Sequence, residues 1–420
     1  MDGTIIQLLQ CLSRAMGTDN KAVILNNEID YSQLFMLSQI HHVAPMIYPT
    51  VKDVLATSEK YMELSVEWRK VAICNIMNQY KASERFLQIY EKLIHAGVKA
   101  LVTKGIVLRQ LYPEPDSRIS SDEDIYIDKS DFQKVHQILI ESDMQTDMAV
   151  DRGTRPCETV YTMKDSKWIL EVHTSLFDPD MKLFSGMNHC FVDAFDQSIT
   201  LRGYEQELLT LSHTHHLLFL LLHAIKHFCG SGVGIRQICD VVMYCNAYGA
   251  EVDFDFVWKG LSEFGFDILA LNLFDIGIRY LGLDVTKYHI PTRYKNEDIH
   301  SEALLLDLMS SGIYGKCKPD EGTTRVYTLN SIIQQRYKNR EPHKPMLIMH
   351  AIFPDRQYLG YFYRYCQEYP YLIIVAWFHR ILRFILKEGK PSRIICKVLL
   401  QLQFGTERIE LMKEYKVINR

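Results

Sequence analysis

The sequence has no Cys-x-x-Cys pair, no internal repeat, no low-complexity tract and no apolar run approaching the roughly 18–20 residues that span a bilayer. Each absence excludes something. Ten cysteines scattered without regular spacing argue against a zinc cluster or a disulfide framework and suit reduced, buried thiols. The longest apolar stretches, Leu217–Leu222 and Leu372–Phe378, are too short to be membrane spans. The opening residues, MDGTIIQLLQCLSRAMG, carry an acid at Asp2 and lack the basic start and long apolar core of a signal peptide. The expected location is therefore cytoplasmic. A formal net charge of −4 over 420 residues excludes a chain-wide nucleic-acid-binding surface. What is present, 47% hydrophobic and 23% charged residues, is ordinary globular composition in a chain long enough for more than one domain.

The charge is uneven. Residues 331–420 hold 16 Lys or Arg against 7 Asp or Glu, near +9, which leaves the rest of the chain near −13. A basic segment beside an acidic body can meet phosphate, an anionic membrane or an acidic partner, or can simply be a solvated helical face.

Apolar periodicity organises the chain. Residues 1–96 repeat apolar positions at steps of three and four, and this helical segment stops at Gly97, a natural C-cap. A small mixed sheet is expected over about 98–175. Its strands are Val98–Thr103, Asp122–Asp128, Glu158–Met163 and Lys167–His173, the last two joined by the turn dipeptide Asp165-Ser166. Between them lie a helix over Ile106–Tyr112, ended by Pro113 and Pro115, and another running to about Ser142 with Ser130 as N-cap. From Glu205 to Leu283 the helical period returns. It weakens between His289 and Pro345, where Pro-Asp-Glu-Gly at 319–322 marks a loop, and is strong again over the last ninety residues. The expected architecture is α+β. An N-terminal helical segment (1–96) precedes a small-sheet core (97–200), a helical domain (201–330) and a basic, aromatic-rich C-terminal helical region (331–420).

The segment LVTKGIVLRQLYPEPDSRISSDEDIYID carries the chemistry. Side chains alternate along a strand, so Asp122 and Asp124 share a face and Glu123 points to the other. Two carboxylates about 7 Å apart on one strand can hold divalent cations of the kind that steady the attacking and leaving oxygens in phosphoryl transfer. Magnesium takes a few carboxylates together with substrate phosphates. Glu171, at the end of the apolar strand WILEVH, is placed to supply a third carboxylate.

With these residues in hand, the chain resembles the uncharacterised bacterial nucleotidyltransferases of the polymerase-β-like superfamily. The shared pattern is Lys-Gly, a helix, Tyr-Pro, then Arg-x-x-x-Asp-x-Asp, here Lys104-Gly105, Tyr112-Pro113, Arg118, Asp122 and Asp124. It continues through Glu171, the helical residues His223, His227, Arg236 and Asp240, and the stretch around Phe353-Pro354 and Tyr369-Pro370-Tyr371. Only 98–175 carries specific motifs. Lys104-Gly105 stands where the wider superfamily has Gly-Ser, and Glu123 stands between the aspartates where the family has an apolar residue. An acid there implies like-charge repulsion and an exposed strand face.

The resemblance implies transfer of a nucleotide from an NTP, ATP by default, to a hydroxyl or phosphate acceptor with release of pyrophosphate. The acceptor class is open: small molecule, peptide, protein or polysaccharide precursor. Asp122, Asp124 and Glu171 would hold Mg2+ or Mn2+, or Glu171 would act as general base. Lys104 and the Gly105 backbone would contact the triphosphate, glycine allowing close approach. Arg118 would neutralise phosphate or pair with one of the aspartates. His227 and Arg236 would reach the nucleotide from the helical side. The other readings are a non-catalytic adaptor with the same fold and a transferase moving a sugar from a nucleotide donor.

Two helical segments carry alternatives. His223 and His227, at i and i+4, share a face that could bind zinc with Asp240, although no His-Glu-x-x-His arrangement accompanies them. The reading that needs no metal hydrogen-bonds these histidines between the helical and sheet regions. Tyr371–Ile385, with Arg380 and Arg383 among apolar residues, fits a helix lying on an anionic membrane, hence peripheral membrane contact through the basic C-terminal region. The favoured reading is a helix packed on the protein with its arginines reaching solvent.

Overall fold

The structure is a computed structural model that describes residues 3–18, 29–146, 157–164, 168–181, 183–204, 206–230, 232–295, 297, 299–311, 322–341, 343–360, 362–363, 365–388 and 391–418. The fold is α+β. Two compact units divide it, Met1–Ala224 with Gly234–Met309, and Ile225–Val233 with Ser310–Arg420.

The first unit opens on four helices, α1 (Gly3–Ala15), α2 (Tyr31–Ile40), α3 (Ala44–Thr57) and α4 (Met62–His95). The 34-residue α4 ends where the sequence predicts. Gly97 has φ +73°, a left-handed conformation that glycine adopts without the clash of a Cβ. A five-stranded mixed sheet follows, built from β1 (Leu101–Val102), β2 (Asp122–Tyr126), β3 (Met144–Gln145), β4 (Glu158–Met163) and β5 (Ile169–His173) in the order β1-β2-β5-β4-β3. Strands β2 and β5 run parallel, and the other neighbours are antiparallel. The crossover between the parallel pair contains α6 (Phe132–Glu141), and α5 (Ile106–Arg109) sits in the β1–β2 connection. One sheet face meets the core: Ile125, Leu170 and Val172 are wholly buried with Phe86 and Tyr90 of α4 and Val135 and Leu139 of α6.

Several expectations need correction. The helical pattern assigned from Glu205 begins instead at α7 (His213–Gly230). Before it, β6 (Ile199–Gly203) and β7 (Gln206–Thr210) form an antiparallel hairpin. Leu201 and Leu208 face each other across that hairpin and join the core of the larger sheet, and this packing outweighs a helical period. Ser130 is not the cap of α6. Asp131 holds that position, and Ser130 instead donates its N–H and hydroxyl to Asp128 Oδ1 (2.8 and 2.6 Å) in a local turn. The expected turn at Asp165-Ser166 and most of the loop at 319–322 lie outside the described residues, and Gly322 opens a helix.

The unit is completed by α8 (Ile235–Tyr248), α9 (Phe254–Glu263), α10 (Asp267–Tyr280) and α11 (Ser301–Ser311). The second unit is helical: α12 (Gly322–Lys338), α13 (Lys344–Ile352), α14 (Arg356–Gly360), α15 (Tyr365–Glu368), α16 (Ile373–Glu388) and α17 (Pro391–Glu414). Thr324 Oγ1 donates to Gln401 O (3.0 Å), Arg336 Nε to Val417 O (2.8 Å) and Arg408 Nη1 to Phe228 O (2.9 Å), tying its elements together. No helix of the described residues is long and apolar enough to cross a membrane.

Candidate metal and nucleotide site

Strand register builds the site. Pairing of β2 with β5 sets Asp124 opposite Glu171 and Tyr126 opposite His173. With side chains alternating, Asp122, Asp124, Glu171 and His173 occupy one face, while Glu123, Ile125, Leu170 and Val172 occupy the other. Asp124, Glu171 and His173 each bring a possible ligand atom within 4.8 Å of the others, the only such group of three or more among the described residues. Asp122 is half-buried, accepts a hydrogen bond from Ser121 Oγ (3.1 Å) and lies outside that trio. The structure thus brings together two of the three expected carboxylates, with the third on the same strand face, and adds a histidine that the sequence reading missed. The Glu171-x-His173 spacing carried the signal, since residues two apart on a strand share a face.

Asp124 is 1% exposed. Its Oδ1 lies 2.9 Å from Lys104 Nζ and 3.1 Å from His173 Nε2, whereas its buried Oδ2 has no hydrogen-bond partner. Burial disfavours the carboxylate, but Lys104 and His173 outweigh it and hold its pKa well below the usual range. The partners respond in kind. Burial opposes a charge on His173, yet hydrogen bonds to Asp124 and Glu171 raise its pKa to about 9. Burial opposes a charge on Lys104 too, and the surrounding Asp124, Asp122 and Glu171 raise its pKa above the ordinary lysine value. Glu171 is shifted upward, chiefly by burial, although His173 draws it down.

Glu123 overturns the expectation of an exposed strand face. It is 1% exposed, its Oε1 is 2.6 Å from Arg109 Nη2, and its Oε2 accepts the Ile106 N–H (2.8 Å). The like-charge repulsion expected from an acid between two aspartates is met by Arg109, itself wholly buried and anchored on Ser83 Oγ (3.1 Å). Gly105 serves this contact. Its φ is +61°, and a Cβ there would lie 1.9 Å from Glu123 Oε2, so the close approach glycine permits is that of the Glu123 carboxylate.

Arg118 pairs with neither Asp122 nor Asp124. It is buried and makes a two-pronged ion pair with Asp240, Nε to Oδ1 at 3.0 Å and Nη2 to Oδ2, while Tyr112 donates to the same carboxylate at 2.8 Å. Tyr112, Arg118 and Asp240, three residues of the sequence pattern, therefore form one internal clasp. Arg236, one turn before Asp240 on α8, donates from Nη1 to Ile119 O, and its Nε is buried without a hydrogen-bond partner. Burial, reinforced by Arg118, lowers its pKa to about 10, and Asp122 acts in the opposite direction. His223 Nε2 is 3.2 Å from Lys104 Nζ. His227 follows one turn later on α7, in the segment assigned to the second unit. The zinc alternative fails. Asp240, its expected third ligand, is committed to Arg118 and Tyr112.

A family model described as an uncharacterised nucleotidyltransferase matches residues 27–276. The chain belongs to that family. The match spans the whole sheet and the Lys104, Asp122, Asp124, Glu171 and Arg236 positions. No curated protein and no solved structure matches the chain. In this chain the donor set fits a divalent cation on its own terms. A buried, unpartnered carboxylate oxygen is unfavourable, and a cation shared with Glu171 relieves it.

Proposed function

We propose that the protein moves a nucleotide from an NTP, ATP by default, to a hydroxyl or phosphate acceptor, with pyrophosphate leaving. The observation that supports this reading best is the polar face of β2 and β5, where Asp124 keeps a buried carboxylate oxygen unpartnered beside Glu171 and His173. Mg2+ or Mn2+, when bound by Asp122, Asp124 and Glu171, supplies charge neutralisation and Lewis acidity at the phosphates. The chain's own residues do the rest. Lys104 is a point charge held between Asp124 and His223, suited to exchange a carboxylate for a phosphate oxygen. Arg236, buried and incompletely paired, is the second cation for the triphosphate. Where Glu171 is not taken up by the metal, its proton affinity, raised by burial, suits it to receive the acceptor's proton as the acceptor oxygen bonds the α-phosphorus and the bridging oxygen departs with pyrophosphate. His173 bridges Asp124 and Glu171 and fixes their orientation. Arg118 belongs to the Asp240 clasp and positions the segment leading into β2.

The test is pyrophosphate release by the full-length protein with each NTP, Mg2+ or Mn2+ and a panel of hydroxyl acceptors. Turnover is expected in the native protein and its loss in Asp122→Asn and Asp124→Asn, with circular dichroism unchanged. Turnover retained in either variant defeats the assignment. Nucleotide binding without any release points to the adaptor, and sugar addition from a nucleotide-sugar donor points to the related transferase.

A further inference from the structure

Helix α16 has two apolar faces, and the protein covers one. On the covered side, Ala376 is buried with Leu359, Tyr363 and Cys366, and Ile373 and Trp377 pack against them. Trp377 Nε1 donates to Pro354 O (2.8 Å), and Arg380 Nη1 donates to Ala351 O and Ile352 O (3.1 and 2.9 Å). On the other side, Ile374, Val375, Phe378, Leu382, Ile385 and Leu386 are all exposed, Phe378 by 70% and Leu386 by 75%. At 3.6 residues per turn these six positions fall in one sector about 120° wide. That is a continuous stripe rather than the scattered apolar exposure of ordinary surfaces. Tyr371, 70% exposed, precedes the helix in the same sector.

We propose that this stripe docks the protein on an anionic lipid surface. Charge chooses the occupant. Residues 371–400 carry six Lys or Arg against a single acid, Glu388, and Arg383 lies exposed beside the stripe. A protein partner or a second copy could cover apolar side chains, but a second copy would bring the same positive charge to the contact. An anionic bilayer answers both features, because it buries the apolar stripe at the headgroup boundary and attracts the net positive charge of the segment. The tyrosine suits the same boundary, with an apolar ring and a polar tip. The helix spans nothing; it lies in the plane of the interface. These residues fall outside the segment matched by the nucleotidyltransferase family, so the inference is independent of the transfer chemistry.

The experiment is flotation of the full-length protein with vesicles of phosphatidylcholine alone and of phosphatidylcholine with phosphatidylglycerol. Size-exclusion chromatography with light scattering follows in the absence of lipid. The native protein is expected to float with the anionic vesicles and not with the neutral ones. Phe378→Glu and Leu382→Glu, at exposed positions, are expected to keep the native melting curve and to lose binding by about ten-fold or more each, from the transfer value of one buried large side chain. Arg383→Glu is expected to weaken it and to make the remaining binding less sensitive to salt. Absence of the native protein from the anionic vesicles overturns the proposal, as does equal flotation of the glutamate variants. A native dimer that these variants convert to monomer, with no vesicle binding, assigns the stripe to a second copy and overturns it as well.

Discussion

Glu123 and Asp124 are neighbours on one strand, equally buried at 1% exposure, and each sits against a cation at close range, Arg109 at 2.6 Å and Lys104 at 2.9 Å. Their surroundings differ in what is left over. Glu123 meets the rigid fork of an arginine and a backbone N–H on the core side of β2. Asp124 meets a flexible lysine, a histidine and a second acid on the other side, and one of its oxygens remains unpartnered. Arginine presents a fixed planar donor set, whereas lysine is a point charge that changes partner easily. The same pair of charges is a fastening in one place and an exchangeable arrangement in the other. Burial and ion pairing alone do not separate a structural carboxylate from a functional one. What does is the oxygen left without any ion pair: Glu123 Oε1, also without a hydrogen bond, lies 2.6 Å from Arg109 Nη2, whereas Asp124 Oδ2 faces no cation among the described residues.

That contrast can be broken by mutation. The largest effect is expected from Arg109→Met, which leaves Glu123 charged and buried. Breaking such a pair costs about 3–5 kcal/mol, so the urea midpoint should fall steeply while the folded fraction keeps its nucleotide binding. A small shift would show that Glu123 is better solvated than its position implies. Asp124→Asn should do the reverse. The fold should survive, and metal-dependent transfer should drop by roughly a hundred- to a thousand-fold, about 2.7–4 kcal/mol in the barrier. A collapse of the fold with specific activity intact would move Asp124 to the structural class.

His173→Gln sharpens the same side. Loss of the imidazole that orients Asp124 and Glu171 should weaken Mn2+ binding by about ten- to a hundred-fold, read by the electron paramagnetic resonance of free Mn2+. Unchanged affinity would remove His173 from the site.

The smallest effect concerns the core side of the adjoining strand. His216, wholly buried, bonds Thr210, whose hydroxyl donates to Val102 O of β1. Burial lowers its pKa to about 3, below the ordinary value near 6.5 of an unfolded chain. Its contribution is therefore complete above pH ~6.5 and is lost as acid protonates the unfolded chain first, down to pH 3. At about 1.4 kcal/mol per pH unit, stability should fall by about 1–2 kcal/mol at pH 5. His216→Gln should flatten that slope in unfolding curves, and an unchanged slope would place the acid sensitivity elsewhere.

Much of the site was legible because strands impose a period of two. That period put Asp122 and Asp124 on one face, and the register of β2 and β5 sets Glu171 opposite Asp124 on it. The same period puts His173, two residues on, on that face, but nothing in the sequence beyond the spacing marks an imidazole there as a partner of the acids. Arg109 was not legible. Nothing in IVLRQLY marks one cation as wholly buried, since its partner lies fourteen residues away and meets it only when α5 folds back on β2. Arg118 and Asp240 were both singled out in other roles, and their 122-residue separation hid the ion pair they make with each other. The β6–β7 hairpin was missed because its two strands are stabilised by the core they cover.

Local order of side chains along the chain determined the α+β architecture, the strands that bear the acids, the end of α4 at a glycine and the two-sided apolar pattern of α16. These follow from backbone periodicity and the conformational freedom of single residues, which the sequence states directly. Tertiary structure alone decided which cation meets which acid, that Glu123 fastens the Gly105 loop while Asp124 keeps an oxygen unpartnered, and which side of α16 the protein covers. Electrostatic partners and burial depend on distances between residues far apart in the chain, and folding sets those distances.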